Sequence, residues 1–245
     1  MLKVITLITK FIVITLIALL FGSCNLNGFK SINGSGNVTT EKRAVTGDFK
    51  NVIVSQALDL EIEQADKTEI TVIADDNLQK EIITKIENGI LTISCKAGNF
   101  NNVSSKKIIV KMPTIEGLEA TSASTINSKN TLRGNSLSLS ASSAASIHLM
   151  AEYESIQLTS GSASNLTIDG KALHEEASAS SGSVINTSGL LANEVVANAS
   201  SGATVTVSPI LNLKADASSG GNIAYTKNPK SIQKSEHSGG NVHQE

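Results

Sequence analysis

From about residue 118 onward the chain repeats itself every 19 residues or so, and few folds accommodate such a period. The apolar residues Ile126, Ile147, Leu166, Ile185, Val205, Ile223 and Val242 follow one another at intervals of 21, 19, 19, 20, 18 and 19. Four residues before each stands a serine: Ser122, Ser143, Ser162, Ser181, Ser201, Ser219 and Ser238. The next position is always tiny, namely Ala123, Ala144, Ala163, Gly182, Gly202, Gly220 and Gly239. Eight before the anchor come Leu118, Leu139, Leu158, Ala177, Ala197 and Ala215, and six before come Ala120, Ala141, Ser160, Ala179, Ala199 and Ala217. Polar or small residues fill the positions between, so the alternation has the period of a strand. A unit this short cannot bury its own apolar face, whereas stacked units can. The expectation is an all-β protein: a parallel, right-handed β-helix (β-solenoid) of seven coils over residues 114–245, about 33 Å tall at the usual strand spacing.

Small columns let opposing walls approach, so the interior should be thin. Carrying the alternation straight through each repeat places the serine column inside, as a ladder whose hydroxyls must find partners. On that reading Ser181→Leu overpacks the coil. The last repeat departs, with Lys234 and Glu236 in core columns, which suits a capping end.

Residues 37–113 form the N-terminal part of the same domain and read as short strands. Leu58, Leu60 and Ile62 alternate with Asp59, Glu61 and Glu63, giving one dry and one acidic face. A solvated face is the expectation for those acids, because no further ligand is spaced to complete a cation site. Leu78, Ile82 and Ile86 follow Asp75-Asp76-Asn77 at i, i+4, i+8, which predicts a short helix. Asn88-Gly89 predicts a tight hairpin turn, and Pro113 closes the region. Cys95 falls within a strand-like run and reads as a buried, inert thiol.

The first 23 residues read as a targeting segment, with Lys3 and Lys10 preceding an apolar run at 11–21 that is too short to span a membrane. The run Leu20-Phe21-Gly22-Ser23-Cys24 resembles a bacterial lipobox, which makes Cys24 the lipid attachment site and residues 24–36 a polar, glycine-bearing tether. Two or more acyl chains on Cys24 would anchor the protein stably to a membrane.

Gly47-Asp48-Phe49-Lys50-Asn51-Val52, then Asn88-Gly89-Ile90-Leu91-Thr92-Ile93, then Leu118-Glu119-Ala120 and the Ser/Gly repeats together resemble the head GIN domain family (DUF2807) of bacterial adhesin-type proteins. The likeness runs over residues 47–225. It implies a solenoid-like body on a secreted or lipid-anchored protein of the cell envelope, of a kind common in Bacteroidetes, and it transfers no catalytic residues.

Composition narrows the function further. With 20 basic against 22 acidic residues and 3% aromatics, the chain lacks both the charge and the stacking platforms of a nucleic-acid binder. There is no Gly-x-Ser-x-Gly elbow and no phosphate-cradling loop. His148, His174, His237 and His243 have no metal-ligand spacing, and His174-Glu175-Glu176 reads as outward polar residues. No cofactor or metal is expected. The expected role is a lipid-anchored envelope module, an adhesin or structural element rather than an enzyme, facing the periplasm or the cell exterior, since charges scattered over different columns argue against a polysaccharide lyase. Its partners would be the membrane, through the anchor, and a glycan or envelope protein. The alternative is a carbohydrate-active β-helix enzyme or a glycan-binding protein.

Overall fold

The computed structural model describes residues 31–96 and 99–245, with Lys10 and Thr15 besides. Cys24, the lipobox and tether residues 24–30 lie outside the described residues. The strands, in chain order, are β1 (Ser31–Asn33), β2 (Val38–Arg43), β3 (Asn51–Val54), β4 (Asp59–Gln64), β5 (Glu69–Asp75), β6 (Ile82–Glu87), β7 (Ile90–Cys95), β8 (Asn99–Asn101), β9 (Lys106–Met112) and β10 (Gly117–Ala120). They continue with β11 (Thr125–Ser128), β12 (Leu132–Ala141), β13 (Ser146–Ser160), β14 (Asn165–Ala179), β15 (Val184–Ala199), β16 (Thr204–Ala217), β17 (Asn222–Tyr225), β18 (Ser231–Glu236) and β19 (Asn241–Gln244).

From β10 upward the coils stack in parallel with equivalent residues in register. Leu118 pairs with Leu139, then Leu158, Ala177, Ala197 and Ala215, and Ile126 with Ile147, Leu166, Ile185, Val205 and Ile223. These columns are buried, each inward aliphatic contributing about 1.5–3 kcal/mol when fully removed from water. This is the expected parallel solenoid. Its stack, however, begins below residue 114. β3 and β4 lie under β10 and β11, and β7 and β9 lie under β3 and β4, all in parallel. The coil laid down first in sequence is therefore sandwiched between two laid down later. Antiparallel β5, β6 and β2 close the base, with Lys85, Glu87, Glu41 and Lys42 on the outermost strands discouraging further pairing.

The serine column does not point inward. Ser122, Ser143, Ser162, Ser181, Ser201, Ser219 and Ser238 are exposed, each with φ between 49° and 55°. The following Ala or Gly also has positive φ at Ala123, Ala144, Ala163, Gly182, Gly202, Gly220 and Gly239. Two left-handed residues in succession make a type I′-like corner. Alternation stops at that corner, so both residues face water and the inward series resumes two residues before the anchor. There the buried hydroxyls are Ser124, Ser164 and Ser183, with Ser160 on the opposing column. They find partners nearby: Ser124 Oγ lies 2.7 Å from the Thr121 carbonyl oxygen and 2.9 Å from that of Val54, Ser183 Oγ donates to that of Ser160 (2.8 Å), and Ser160 Oγ pairs with Ser164 Oγ (2.8 Å). A leucine at 181 would thus project into solvent, and overpacking is not its consequence.

The corners form their own ladder. Ala123 N–H donates to the Ser143 carbonyl at 2.9 Å, Ala144 to Ser162 at 3.0 Å, Ala163 to Ser181 at 3.1 Å, Gly182 to Ser201 at 3.1 Å and Gly202 to Ser219 at 3.2 Å. An eighth corner, Gln56-Ala57, joins it, with Ala57 N–H on the Ser122 carbonyl at 2.8 Å.

The predicted helix is absent. Residues 76–81 form a turn, and Ile82 and Ile86 lie on β6, paired with Cys95 and Leu91. Spacings of four satisfy period two as well as a helix, and the Asn88-Gly89 turn (φ 51° and 76°) commits the preceding segment to the hairpin. Cys95 is buried, as its strand position implied. Asp75, wholly buried, anchors the turn: it accepts Gly36 N–H (3.0 Å), Ser105 N–H (2.9 Å) and Ser104 N–H (3.1 Å). Burial pushes its carboxyl up, but these donors outweigh burial and hold it below its ordinary range.

Two outcomes follow for stability. Nothing lies within 4 Å of a Cβ built on Gly202, whereas one on Gly221 would sit 2.3 Å from the Ala199 carbonyl oxygen. Gly202→Ala should cost about 1 kcal/mol, the left-handed penalty alone, and Gly221→Ala about 2–3 kcal/mol through backbone displacement, as read by urea denaturation. Asp75→Ala should cost about 3 kcal/mol at pH 7, because three N–H groups lose a charged acceptor. Since the folded carboxyl titrates low, wild type loses that contribution as the pH falls below the ordinary carboxylate range, and the variant's acid limb should be flatter.

Candidate functional site

Parallel stacking turns outward positions into files, and two neighbouring files make a flat polar face on the arm leading into the corners. One runs Glu119, Ser140, Thr159, Ser178, Asn198, Asp216 and Ser235, in register from coil to coil. The other runs Thr121, Ser142, Gly161, Ser180, Ser200, Ser218 and His237, whose amides bond to carbonyls one coil below. Over its middle lies a shallow trough of about 200 Å³ lined by Thr159, Ser178, Ser180, Asn198, Asp216 and Ser218 among others. Short side chains held on a sheet lose little entropy when a ligand orders them. Three internal bonds occur: Ser142 Oγ to Thr121 Oγ1 (3.2 Å), Asn198 Nδ2 to Ser178 Oγ (3.4 Å), and Ser235 Oγ with His237 Nε2 (2.9 Å). Within the described residues the hydroxyls of Thr159, Ser180, Ser200 and Ser218 have no hydrogen-bond partner, so the face has donors and acceptors to offer. The corner serines singled out from sequence border this face, and their side chains are solvent-facing beside it.

At the opposite bend of the coils lies an apolar hollow of about 500 Å³, lined by Tyr153, Ala172, Leu173, Leu191, Ile210 and Lys171 among others. Gly134, Tyr153 and Ala172 are stacked in register. The Tyr153 ring lies over Gly134, where a Cβ would come 2.7 Å from Cε1, and its hydroxyl donates to the Ile115 carbonyl at 3.0 Å. Burial pushes the phenol up to about 12. The floor drops where the next coil substitutes Ala172 for the ring. Leu173 and Ile210, both exposed, form the rims. Sequence reading missed this hollow. The only signal was Gly134 one period before Tyr153.

The acidic row of β4 is engaged by lysines. Lys106 reaches Asp59 (3.2 Å), Lys107 reaches Glu61 (2.7 Å), and Lys129 (3.0 Å) and Lys111 (3.4 Å) converge on Glu63. The hydrogen bond from Lys129 holds the Glu63 carboxyl low, with Lys111 adding to it against partial desolvation. His174-Glu175-Glu176 is split by the pleat. His174 points outward to Glu194 (3.1 Å) and Glu176 is exposed, but Glu175 is buried, contrary to the outward reading of all three. Among the described residues no three His, Cys, Asp or Glu side chains group as a metal site, and no helix is long and apolar enough to cross a membrane.

The outward files of this parallel solenoid are mostly short hydroxyls and amides. The chain belongs to the family described as "Putative auto-transporter adhesin, head GIN domain", whose model matches residues 48–229. That description is of an adhesin, and it points to the cell envelope or surface. Solved structures share the fold. A "putative adhesin" from Bacteroides fragilis has 18% identity and a TM-score of 0.80 over 87% of this chain and 100% of its own. A "putative adhesin" from Parabacteroides distasonis has 21% identity and a TM-score of 0.71 over 88% and 100%. A "putative lipid binding protein", also from Parabacteroides distasonis, has 18% identity and a TM-score of 0.73 over 88% and 100%. No curated protein matches the sequence.

Tyr153→Phe should lower stability by about 1 kcal/mol through the unpaired Ile115 carbonyl while leaving the hollow's apolar lining in place, as checked by thermal denaturation.

Proposed function

We propose that this chain is an envelope adhesion module, tethered to the outer membrane through lipid on Cys24, that holds a glycan or an envelope protein against its hydroxyl face. The carrying observation is the set of unpartnered hydroxyls in register along successive coils. A single hydrogen bond contributes only about 0.5–1.5 kcal/mol net, so recognition here is the sum of several weak contacts repeated about every 4.8 Å. A repeating polymer presents its own groups in the same serial manner. The absence of a catalytic grouping on this face favours adhesion over the carbohydrate-active enzyme, and turnover of any polysaccharide would favour the enzyme instead. Lipid on Cys24 is tested by labelling with a tagged fatty acid, which Cys24→Ser should abolish along with membrane fractionation.

The experiment for the face is binding of the purified protein to an array of bacterial and host envelope polysaccharides, repeated with the double variant Ser180→Arg/Ser200→Arg. Both residues face outward, so the denaturation midpoint should hold while binding falls about tenfold or more, the loss of one to two hydrogen bonds. Unchanged binding would remove this face from the interaction.

The apolar hollow favours a second reading, in line with the relative named for lipid binding. An acyl chain would lie between Leu173 and Ile210, with Lys171 near its head group. Leu173→Asp would then abolish uptake of a fluorescent fatty acid without altering polysaccharide binding.

A further inference from the structure

Glu175 occupies a core column. Its file in the stack runs Leu137, Ile156, Glu175, Val195, Leu213, with every other member aliphatic. The side chain is 2% exposed. Oε1 lies 2.6 Å from Oγ1 of Thr187, which is itself fully buried on the next coil, and Oε2 has no partner among the described residues. Thr187 Oγ1 also lies 3.0 Å from the carbonyl oxygen of Thr206, one coil higher.

Counting protons decides the state of this chain of contacts. A hydroxyl has one hydrogen, and the Thr206 carbonyl can only accept. Both bonds exist together only if Thr187 donates to Thr206 and Glu175 donates to Thr187, which requires a protonated carboxyl. An ionised Glu175 would instead leave a bare charged oxygen among Ile156, Val195 and Leu213.

Among the described residues no charge is placed to compensate it. On β13 the inward titratable group is Tyr153, whose hydroxyl is committed to the Ile115 carbonyl. On β15, Thr187 is neutral and Glu194 faces outward to His174. On β16, Lys214 is exposed and Asp216 belongs to the outer file. On β14 itself, His174 and Glu176 are exposed.

We infer that Glu175 is a pH-sensitive clasp within the solenoid: protonated, it bonds coils 165–179, 184–199 and 204–217 together through Thr187 and Thr206, and ionised, it loosens them. Burial also pushes the carboxyl from its ordinary 4.5 up to about 8, opposed only in part by the hydroxyl that Thr187 could turn toward the ionised form. A folded value above the unfolded one means that stability is fully present below the unfolded value and is lost as the pH rises through the folded one. The module is therefore tightest in mild acid and slackens toward mild alkali. The clasp is independent of what the outer face binds.

The test is the unfolding equilibrium of the purified chain across pH 5–9, for wild type, Glu175→Gln and Glu175→Leu. The folding equilibrium constant of wild type should fall by up to tenfold per pH unit until about pH 8 and then level off, relative to either variant. The amide keeps a donor for Thr187 and cannot ionise, and leucine restores the aliphatic file, so at least one comparison survives a folding failure in the other. Infrared difference spectra at pH 7 should show a protonated carboxyl in wild type that Glu175→Gln lacks. Parallel pH profiles in wild type and the folded variants, or the absence of that carboxyl signal, would overturn the clasp.

Discussion

The structure hangs on one recurring contact: the amide after each corner serine donates to the corner-serine carbonyl of the next coil. That bond requires two consecutive residues in the left-handed region, the second small enough to tolerate it, at each corner from Gln56-Ala57 upward. Once the corner is set, both arms enter the sheet in fixed phase, and the rest of the coil follows by period two. Because corner sits upon corner from Gln56-Ala57 to Ser238-Gly239, the same bond fixes register through those coils, and a slip in one would be carried into its neighbours.

Register then does two jobs. Inside, it piles aliphatics into continuous columns that narrow from Leu118, Leu139 and Leu158 to Ala177, Ala197 and Ala215 as the coils rise. Outside, it converts scattered hydroxyls into files. A single Ser or Thr on a strand binds nothing with useful affinity, but the same residue repeated on a rigid lattice presents a surface whose weak contacts add. The ends need separate solutions. The base is closed by antiparallel strands bearing charges, and at the top Lys234 lies over the Tyr225 ring at 4.8 Å while Glu236 accepts the Val242 amide at 2.6 Å.

Most polar groups inside such a thin core find a partner, though Glu175 Oε2 and Ser208 Oγ do not among the described residues. Ser124, Ser164 and Ser183 manage this with backbone carbonyls at the corner. Glu175 does so through one oxygen, with Thr187, at the coils where the ladder register shifts between Thr167 and Gly170 and again between Asn186 and Leu191. The β-bulges and the buried polar contacts coincide, and both depart from the regularity of the coils beneath them.

The amino-acid sequence by itself determined the coil height, the stacking, the class of fold and the Asn88-Gly89 hairpin, because each rests on contacts local to one repeat or on a period that any stacking must respect. It also marked the columns correctly as columns. Which way each column faces was legible only where φ stays negative and alternation holds. At the corners two left-handed residues interrupt the count, so the serine file came out on the wrong side when read by period alone. Only the tertiary structure decided that β3 and β4 lie between β9 and β10–β11, that Tyr153 covers Gly134, and that Glu175 turns inward. Each of these depends on residues distant in the chain being brought to the same height, and no local preference carries that information.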